Sequence, residues 1–331
     1  MSSDVDALLT VENLVVHFSV GRKSVVQAVS DISFSVAEGE TLGIVGESGC
    51  GKSSTGRAIL QLPRPTSGRV TFDGKDLSTM TGPRLREIRP RLQMIFQDPI
   101  SSLNPRQRVA DLVGGPLDAH GRPDGRRFTP EERHERVAEC LEAVGLDPET
   151  TMNRRPHEFS GGQCQRINLA RALVLRPTLL ICDEPVSSLD VSIQAQIINL
   201  LEEMKRRYGL TMLFISHDLA VIKNICDRVA VMYLGKLVEV AEADEIYNRP
   251  MHPYTVELLA SIPDPDPDRE PMSNLSIGGE PPSSTDPPSG CRFRTRCPRA
   301  QDRCAVEEPP LVQLRSGHSV SCHFPVLDDA G

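Results

Sequence analysis

Gly46-Glu47-Ser48-Gly49-Cys50-Gly51-Lys52-Ser53 has the spacing G-x-x-x-x-G-K-S, which reads as a cradle for phosphate. Glycines let successive backbone N–H groups turn toward one anion. A lysine in the place of Lys52 reaches the β- and γ-phosphates of a nucleotide, and a serine in the place of Ser53 offers a hydroxyl to Mg²⁺. Ser54 continues the segment. Far downstream, Phe159-Ser160-Gly161-Gly162-Gln163 reads as a second phosphate-contacting loop. Leu179-Leu180-Ile181-Cys182 is apolar and ends in Asp183-Glu184. Asp183 is placed to complete the Mg²⁺ shell. Glu184, one residue on, points differently and can polarise an attacking water. His217 follows the apolar Phe214-Ile215-Ser216, and Gln97 follows Met94-Ile95-Phe96. Each has a plainer reading alone: a glycine turn, an acidic strand end, a structural histidine, a surface glutamine. Together they point to hydrolysis of a nucleoside triphosphate, because ligands of parallel α/β folds gather at strand ends.

The segments between these residues supply the elements to hold them. Residues 11–34 alternate apolar and polar around Gly21-Arg22-Lys23-Ser24, which predicts two antiparallel strands and a turn. Thr41-Leu42-Gly43-Ile44-Val45 predicts a strand entering the glycine loop, with a helix over 53–60 beyond it. Residues 91–96 predict another strand. Residues 100–158 are charged and helical in stretches such as 131–144, with a Gly/Pro/Arg-rich break over 120–127, and read as a helical insertion. A helix over 162–175 places Ile167, Ala170, Leu173 and Val174 on one face. Strands over 179–182 and 211–215, separated by a helix over 192–208, imply an α/β core.

Composition bounds the function. The chain has 331 residues, 39% apolar and 25% charged, the balance of a globular protein. No apolar run approaches the roughly 18 residues that span a bilayer. The start, Met1-Ser2-Ser3-Asp4, lacks the basic and apolar regions of a signal peptide. A cytosolic chain resting on a membrane partner is the expectation. A net charge of −8 argues against nucleic acid as the main ligand.

Nine cysteines in such a chain do not suggest a disulfide framework. Cys50 lies near a helix start and Lys52, which predicts a lowered thiol pKa and alkylation that blocks ATP binding; the plainer reading is a small residue that fits. Cys182 reads as inert core. Cys291, Cys297, Cys304 and Cys322 follow C-x5-C-x6-C-x17-C. They read as an iron–sulfur site, a zinc site, or free or disulfide-linked thiols. Zinc favours tight C-x2–4-C pairs, which are absent. Longer spacings, with Pro298 after Cys297, suit an iron–sulfur cluster better. His318 and His323 read as surface residues.

The order of phosphate loop, Gln97, Ser160-Gly161-Gly162-Gln163, Asp183-Glu184, Ser188-Leu189-Asp190 and His217 resembles the ATP-binding subunits of ABC transporters. The Ser-Gly-Gly-Gln run resembles the family signature, with Phe159 where leucine is usual, and Ser188-Leu189-Asp190 resembles the D-loop. Met94-Ile95-Phe96-Gln97-Asp98-Pro99, Ser102-Leu103-Asn104-Pro105, Pro156-His157-Glu158-Phe159 and Gly162-Gln163-Cys164-Gln165-Arg166 narrow the match. So do Cys182-Asp183-Glu184-Pro185-Val186-Ser187, Asp190-Val191-Ser192-Ile193-Gln194-Ala195-Gln196 and His252-Pro253-Tyr254-Thr255. They are similar to the oligopeptide/dipeptide importers, in the F-type of their two ATPase subunits.

The resemblance implies an α/β P-loop NTPase (RecA-like) core with an antiparallel β-subdomain, an inserted α-helical subdomain and a small C-terminal Cys-rich extension. Its boundaries would be a nucleotide-binding domain over 1–260 with the helical part about 98–164, a Pro/Asp-rich linker over 261–289, and the four-Cys extension over 290–331. It implies a head-to-tail dimer with a related D-type ATPase subunit. Each of the two ATP sites joins one subunit's phosphate loop to the other's signature. Ser160, Gly161, Gly162 and Gln163 would then meet ATP of the partner's site. Ser53, Gln97 and Asp183 would hold Mg²⁺, Glu184 would be the general base, His217 would hold γ-phosphate and water, and Phe18 would stack on adenine. Two transmembrane permeases, docked by the helical insertion, an extracytoplasmic binding protein and a [4Fe–4S] cluster in the tail are implied as well. The setting is peripheral, on the cytoplasmic membrane face. Nickel and some sugar importers share these marks. A soluble ABC ATPase acting on nucleic acid is opposed by the single module and acidic charge, and a vestigial ATPase by intact Glu184 and His217. Alone, the chain should bind ATP but hydrolyse it poorly until its partner arrives.

Overall fold

The computed structural model describes residues 7–21, 24–122, 124–261 and 280–327. The acidic stretch 263–268 lies outside them. Twelve strands occur among the described residues: β1 Ala7–Val20, β2 Ser24–Ala37, β3 Thr41–Val45, β4 Ser67–Phe72, β5 Lys75–Asp76, β6 Leu92–Ile95, β7 Leu179–Asp183, β8 Thr211–Ser216, β9 Arg228–Tyr233, β10 Lys236–Glu242, β11 Val312–Arg315 and β12 His318–Val320. The chain divides into one unit of Met1–Val36, Glu40–Ser78 and Phe214–Gly331, and a second of Ala37–Gly39 and Thr79–Leu213.

In the first unit a sheet runs β2-β1-β4-β5. Along β1 the buried positions are Leu8, Leu9 and Val11, then Leu14 and Val16; Leu9 and Val11 alternate, as do Leu14 and Val16. Strict alternation would turn the second pair outward. Asn13, at φ 47, takes up the extra residue, and the pairing with β4 shifts register between Glu12 and Val15. A second set of strands runs β11-β12-β10-β9-β3-β8. Every residue of β3 is buried, and β3 pairs in parallel with β9 from Leu42↔Arg228 to Val45↔Val231. That explains an apolar run rather than an alternation.

The C-terminal region enters this sheet. β12 pairs with β10 through Glu239↔Val320 and Val240↔Ser319. His318, expected at the surface, is fully buried. Its Nε2 lies 2.6 Å from Glu239 Oε1. Glu239 also accepts from Met251 N at 2.6 Å and His252 N at 2.9 Å, so a buried carboxylate is paired on several sides.

In the second unit β6 and β7 pair in parallel, from Leu92↔Leu179 to Ile95↔Cys182. Helices Val109–His120, Pro130–Ala143 and Gly161–Leu173 pack pairwise, burying Val113, Val137, Leu141, Ile167 and Ala170. The second starts where Thr129 and Glu132 form a reciprocal cap: Glu132 N donates to Thr129 Oγ1 at 3.2 Å, and Thr129 N to Glu132 Oε2 at 2.9 Å. No helix among the described residues is long and apolar enough to cross a membrane.

Candidate nucleotide site

The phosphate loop belongs to the first unit. β3 delivers the chain to Gly46, and helix Lys52–Ile59 carries it away. Gly46 has φ 156, and a Cβ there would lie 2.0 Å from the Met232 carbonyl oxygen. Gly51 has φ 109, and its Cβ would lie 2.0 Å from the Ala28 carbonyl oxygen. Backbone on β9 and β2 therefore demands glycine at both places. Lys52 is 3% exposed, and its Nζ donates to Gly46 O at 2.7 Å and Glu47 O at 2.9 Å. The ammonium is held by the loop whose phosphates it would bind. Ser48 and Gly49 are exposed, and Ser53 and Ser54 are half-buried.

Cys50 corrects an expectation. It is 5% exposed, and burial raises its thiol pKa despite the opposing charge of Lys52. Desolvation outweighs the nearby cation, so this thiol is not the reactive thiolate that its sequence neighbours suggest. Cys182, fully buried, has its pKa raised by burial, in keeping with inert core.

Sequence reasoning missed the residues around Glu47. Glu47 N donates to Tyr254 Oη at 2.9 Å, and the Glu47 carboxylate meets Arg296. Their distance along the chain hid both contacts. Glu257, on helix Pro253–Ala260 with Tyr254, is 2% exposed, and neither carboxylate oxygen has a hydrogen-bond partner. Burial pushes its pKa from 4.5 up to about 7, with Arg296 opposing and Glu47 assisting. A carboxyl with a raised folded pKa is at no disadvantage below its unfolded value and costs stability as pH climbs through its folded value. Glu257→Gln should therefore raise the melting temperature at pH 8 by about 2–4 °C per kcal/mol relieved, and have little effect at pH 4.5. Thermal melts at both pH values check this; an equal shift at both would contradict it.

Phe18, near the end of β1, is 37% exposed. His217 is exposed in the turn after β8. Asp218 caps the next helix by accepting from Ala220 N at 2.8 Å, and Ser216 Oγ accepts from Asp218 N at 3.0 Å.

The second unit carries the acidic and signature residues. Because Ile95 pairs with Cys182, the residues two beyond each, Gln97 and Glu184, come side by side. Gln97 Nε2 donates to Glu184 Oε2 at 2.9 Å. Asp183 is fully buried at the end of β7. Glu184 is 9% exposed and has φ 47, a left-handed conformation unusual for a residue with a side chain. That turn separates its side-chain direction from that of Asp183.

Ser160 caps helix Gly161–Leu173. Gln163 N donates to Ser160 Oγ at 3.4 Å, and Ser160 N to Gln163 Oε1 at 3.0 Å. The helix start presents N–H groups and a positive dipole end. A Cβ on Gly162 would lie 2.7 Å from Ile193 Cγ2, and one on Gly161 3.4 Å from Leu189 Cδ2, so the signature packs on the D-loop and its helix. Within Ser188-Leu189-Asp190, Leu189 O accepts from Gln194 Nε2 at 2.9 Å, and Asp190 precedes helix Val191–Tyr208.

One stripe of the signature helix ties these parts together, and sequence reasoning missed it. Gln165 Nε2 donates to Pro185 O at 2.7 Å, Asn168 Nδ2 to Pro99 O at 2.9 Å, and Arg171 Nη1 to Ser102 O at 2.8 Å. The three are spaced i, i+3, i+6, one face of a helix. They grip the loops that follow Glu184 and Gln97. Polar residues at every third position, among the apolar Ile167, Leu169, Ala170 and Leu173, were the available signal.

The four C-terminal cysteines correct the metal expectation. Among the described residues no group of three or more His, Cys, Asp or Glu is arranged to hold a metal ion. Neither a [4Fe–4S] cluster nor zinc is supported. All four are free thiols. They lie near one another: Cys291 N donates to Cys304 O at 2.8 Å. Burial pushes the thiols of Cys297 and Cys322 up to about 11 and 12, with the neighbouring cysteines adding to it. Strand pairing by β12 and buried Phe293 and His318 order this region instead.

The family model for ABC transporters matches residues 29–187, and that for the oligopeptide/dipeptide transporter C-terminal region matches residues 238–304. The oligopeptide transport ATP-binding protein OppF of Salmonella typhimurium is 49% identical over 324 residues, covering 95% of each chain. The chain belongs to the oligopeptide/dipeptide family of ABC transporter ATP-binding proteins. OppF of Escherichia coli is likewise 49% identical over 324 residues, with 95% of each chain covered. Among solved structures, the ATP-binding cassette MJ0796, a dimer bound to ADP and Pi, superposes with a TM-score of 0.64 at 28% identity. That match covers 71% of this chain and 98% of the other. The fold is thus that of an ABC ATPase cassette, a family that binds ATP and Mg²⁺.

Proposed function

We propose that this chain is an ATP-hydrolysing subunit that powers peptide import through a membrane ABC transporter. The observation that carries the hydrolytic part is Gln97 Nε2 on Glu184 Oε2 at 2.9 Å, with Glu184 turned away from the strand at φ 47. A carboxylate so placed is a general base for water. The peptide cargo rests on the match of residues 238–304 to the oligopeptide/dipeptide C-terminal region and on the names of the relatives.

Each residue then has a task. Backbone N–H groups of Gly46–Ser54 cradle the phosphates, Lys52 neutralises the β- and γ-phosphates, and Phe18 stacks on adenine. Ser53, Gln97 and Asp183 hold Mg²⁺, which when bound neutralises charge on the phosphate oxygens. Glu184 takes the proton of the attacking water, and His217 orients that water and the γ-phosphate. Ser160, Gly161, Gly162 and Gln163 cap the γ-phosphate of ATP held by a second, related ATP-binding subunit. Ser188, Leu189 and Asp190 face that subunit. Val191, apolar yet 81% exposed beside them, supports an interface there. Residues 1–260 form the nucleotide-binding domain, with the helical part about 98–164 facing two permeases, 261–289 the linker and 290–331 the extension. The assembly sits on the cytoplasmic membrane face and receives cargo from an extracytoplasmic binding protein.

Reconstitution with the related ATPase and permease subunits in proteoliposomes tests this. ATP turnover by the isolated chain should be slow and rise at least tenfold on assembly, with peptide uptake dependent on ATP. Brisk turnover by a strictly monomeric sample, or assembly without peptide uptake, would contradict it.

A further inference from the structure

We infer that Arg296 is a positioning residue for the phosphate loop, and that the C-terminal segment thereby sets the loop's affinity for nucleotide. This rests on reading Gly46–Ser53 as the phosphate loop. Glu47 is the first variable position of that loop, and its carboxylate is a negative charge in a structure built to take anions. Arg296 neutralises it with a planar fork: Nη1 to Oε2 at 2.8 Å and Nη2 to Oε1 at 2.8 Å. Such bidentate pairs fix orientation as well as charge. The Arg296 side chain is 6% exposed and that of Glu47 25%, so water screens the pair weakly.

The rest of Glu47 is fixed too. Its N–H donates to Tyr254 Oη, and its carbonyl accepts from Lys52 Nζ. Tyr254 packs against Tyr233 at 4.7 Å and Phe293 at 5.4 Å between ring centroids. Arg292, from the same segment as Phe293 and Arg296, donates to the carbonyl of Leu234 and to Gln27 Oε1. Thus the residues between Cys291 and Cys297 anchor the segment on Leu234 and Gln27 and aim one guanidinium at the loop. Removing that guanidinium leaves Glu47 uncompensated where phosphates bind. The main consequence is electrostatic, and it vanishes when Glu47 loses its charge.

The test uses the full chain and a fluorescent methylanthraniloyl ATP with Mg²⁺. Arg296→Gln should weaken binding about tenfold, the scale of one unpaired charge acting on a nearby anion at low screening. Arg296→Lys, which restores charge but not the fork, should recover part of it. Against a Glu47→Gln background the Arg296→Gln effect should shrink below twofold. A loss below twofold with Glu47 present, or the same loss in both backgrounds, overturns the inference. Should Arg296→Gln fail to fold, Arg296→Lys compared across the two backgrounds decides it: a loss of about threefold confined to the Glu47 background supports the inference, and no difference overturns it. Lys52→Ala separates the premise. If it retains wild-type ATP binding, the phosphate-loop reading fails; if it loses binding while Arg296 variants behave like wild type, only the role of Arg296 fails.

Discussion

Glu184→Gln should stop ATP turnover while ATP stays bound. The substitution keeps shape and leaves an amide oxygen that can still accept from Gln97 Nε2, now 2.9 Å from the carboxylate. It removes the proposed base. General-base catalysis contributes roughly 10²–10⁴-fold, so turnover in the assembled transporter should fall at least about 100-fold. In the proposed site, loss of that negative charge beside the γ-phosphate strengthens ATP binding, so an ATP-bound pair with the related subunit should accumulate. Hydrolysis assays and the nucleotide content of the isolated complex read both effects. Wild-type hydrolysis by this variant would remove Glu184 from the mechanism.

Gly51→Ala should abolish nucleotide binding by distorting the loop. Its new Cβ would meet the Ala28 carbonyl oxygen at 2.0 Å, where nothing flexible can move aside, and φ 109 is strained for any side chain. Gly46→Ala meets the Met232 carbonyl oxygen at the same 2.0 Å. Both should lose at least about 100-fold in ATP affinity, equivalent to ~3 kcal/mol. Gly49→Ala is the informative comparison. Gly49 has φ 79 but open space around its Cβ direction, so it meets only the backbone penalty of about 1–2 kcal/mol. Titration with a fluorescent ATP analogue should rank Gly49→Ala well above the other two. Equal losses at all three would mean that packing against β2 and β9 does not set the loop's shape.

Much of the fold was readable along the chain. Helix Val191–Tyr208 and strand Thr211–Ser216 fall within a residue of where their patterns place them, because amphipathic period and apolar runs are local properties. The pairing of Gln97 with Glu184 was only half readable. Each stood after an apolar run, but their contact needs the parallel register of Ile95 on Cys182. The tail misled the reading. Cysteine spacing suggested a metal, while the structure orders that region through β12 on β10, Phe293 and buried His318, and offers no metal-holding group among the described residues.

By itself the sequence determined the residue types and order that define an ABC ATPase of the peptide-importer family: phosphate loop, Gln97, signature, Asp183-Glu184, D-loop and His217. Fixed spacings within one loop or strand end carry that information, so no tertiary knowledge is needed. Only the tertiary structure decided that Arg296 closes on Glu47 across 249 residues of chain, that Cys50 is a buried, weakly acidic thiol, and that Glu257 sits unpaired beside the loop. Burial and charge are sums over neighbours that are close in space and distant in sequence, and folding alone brings them together.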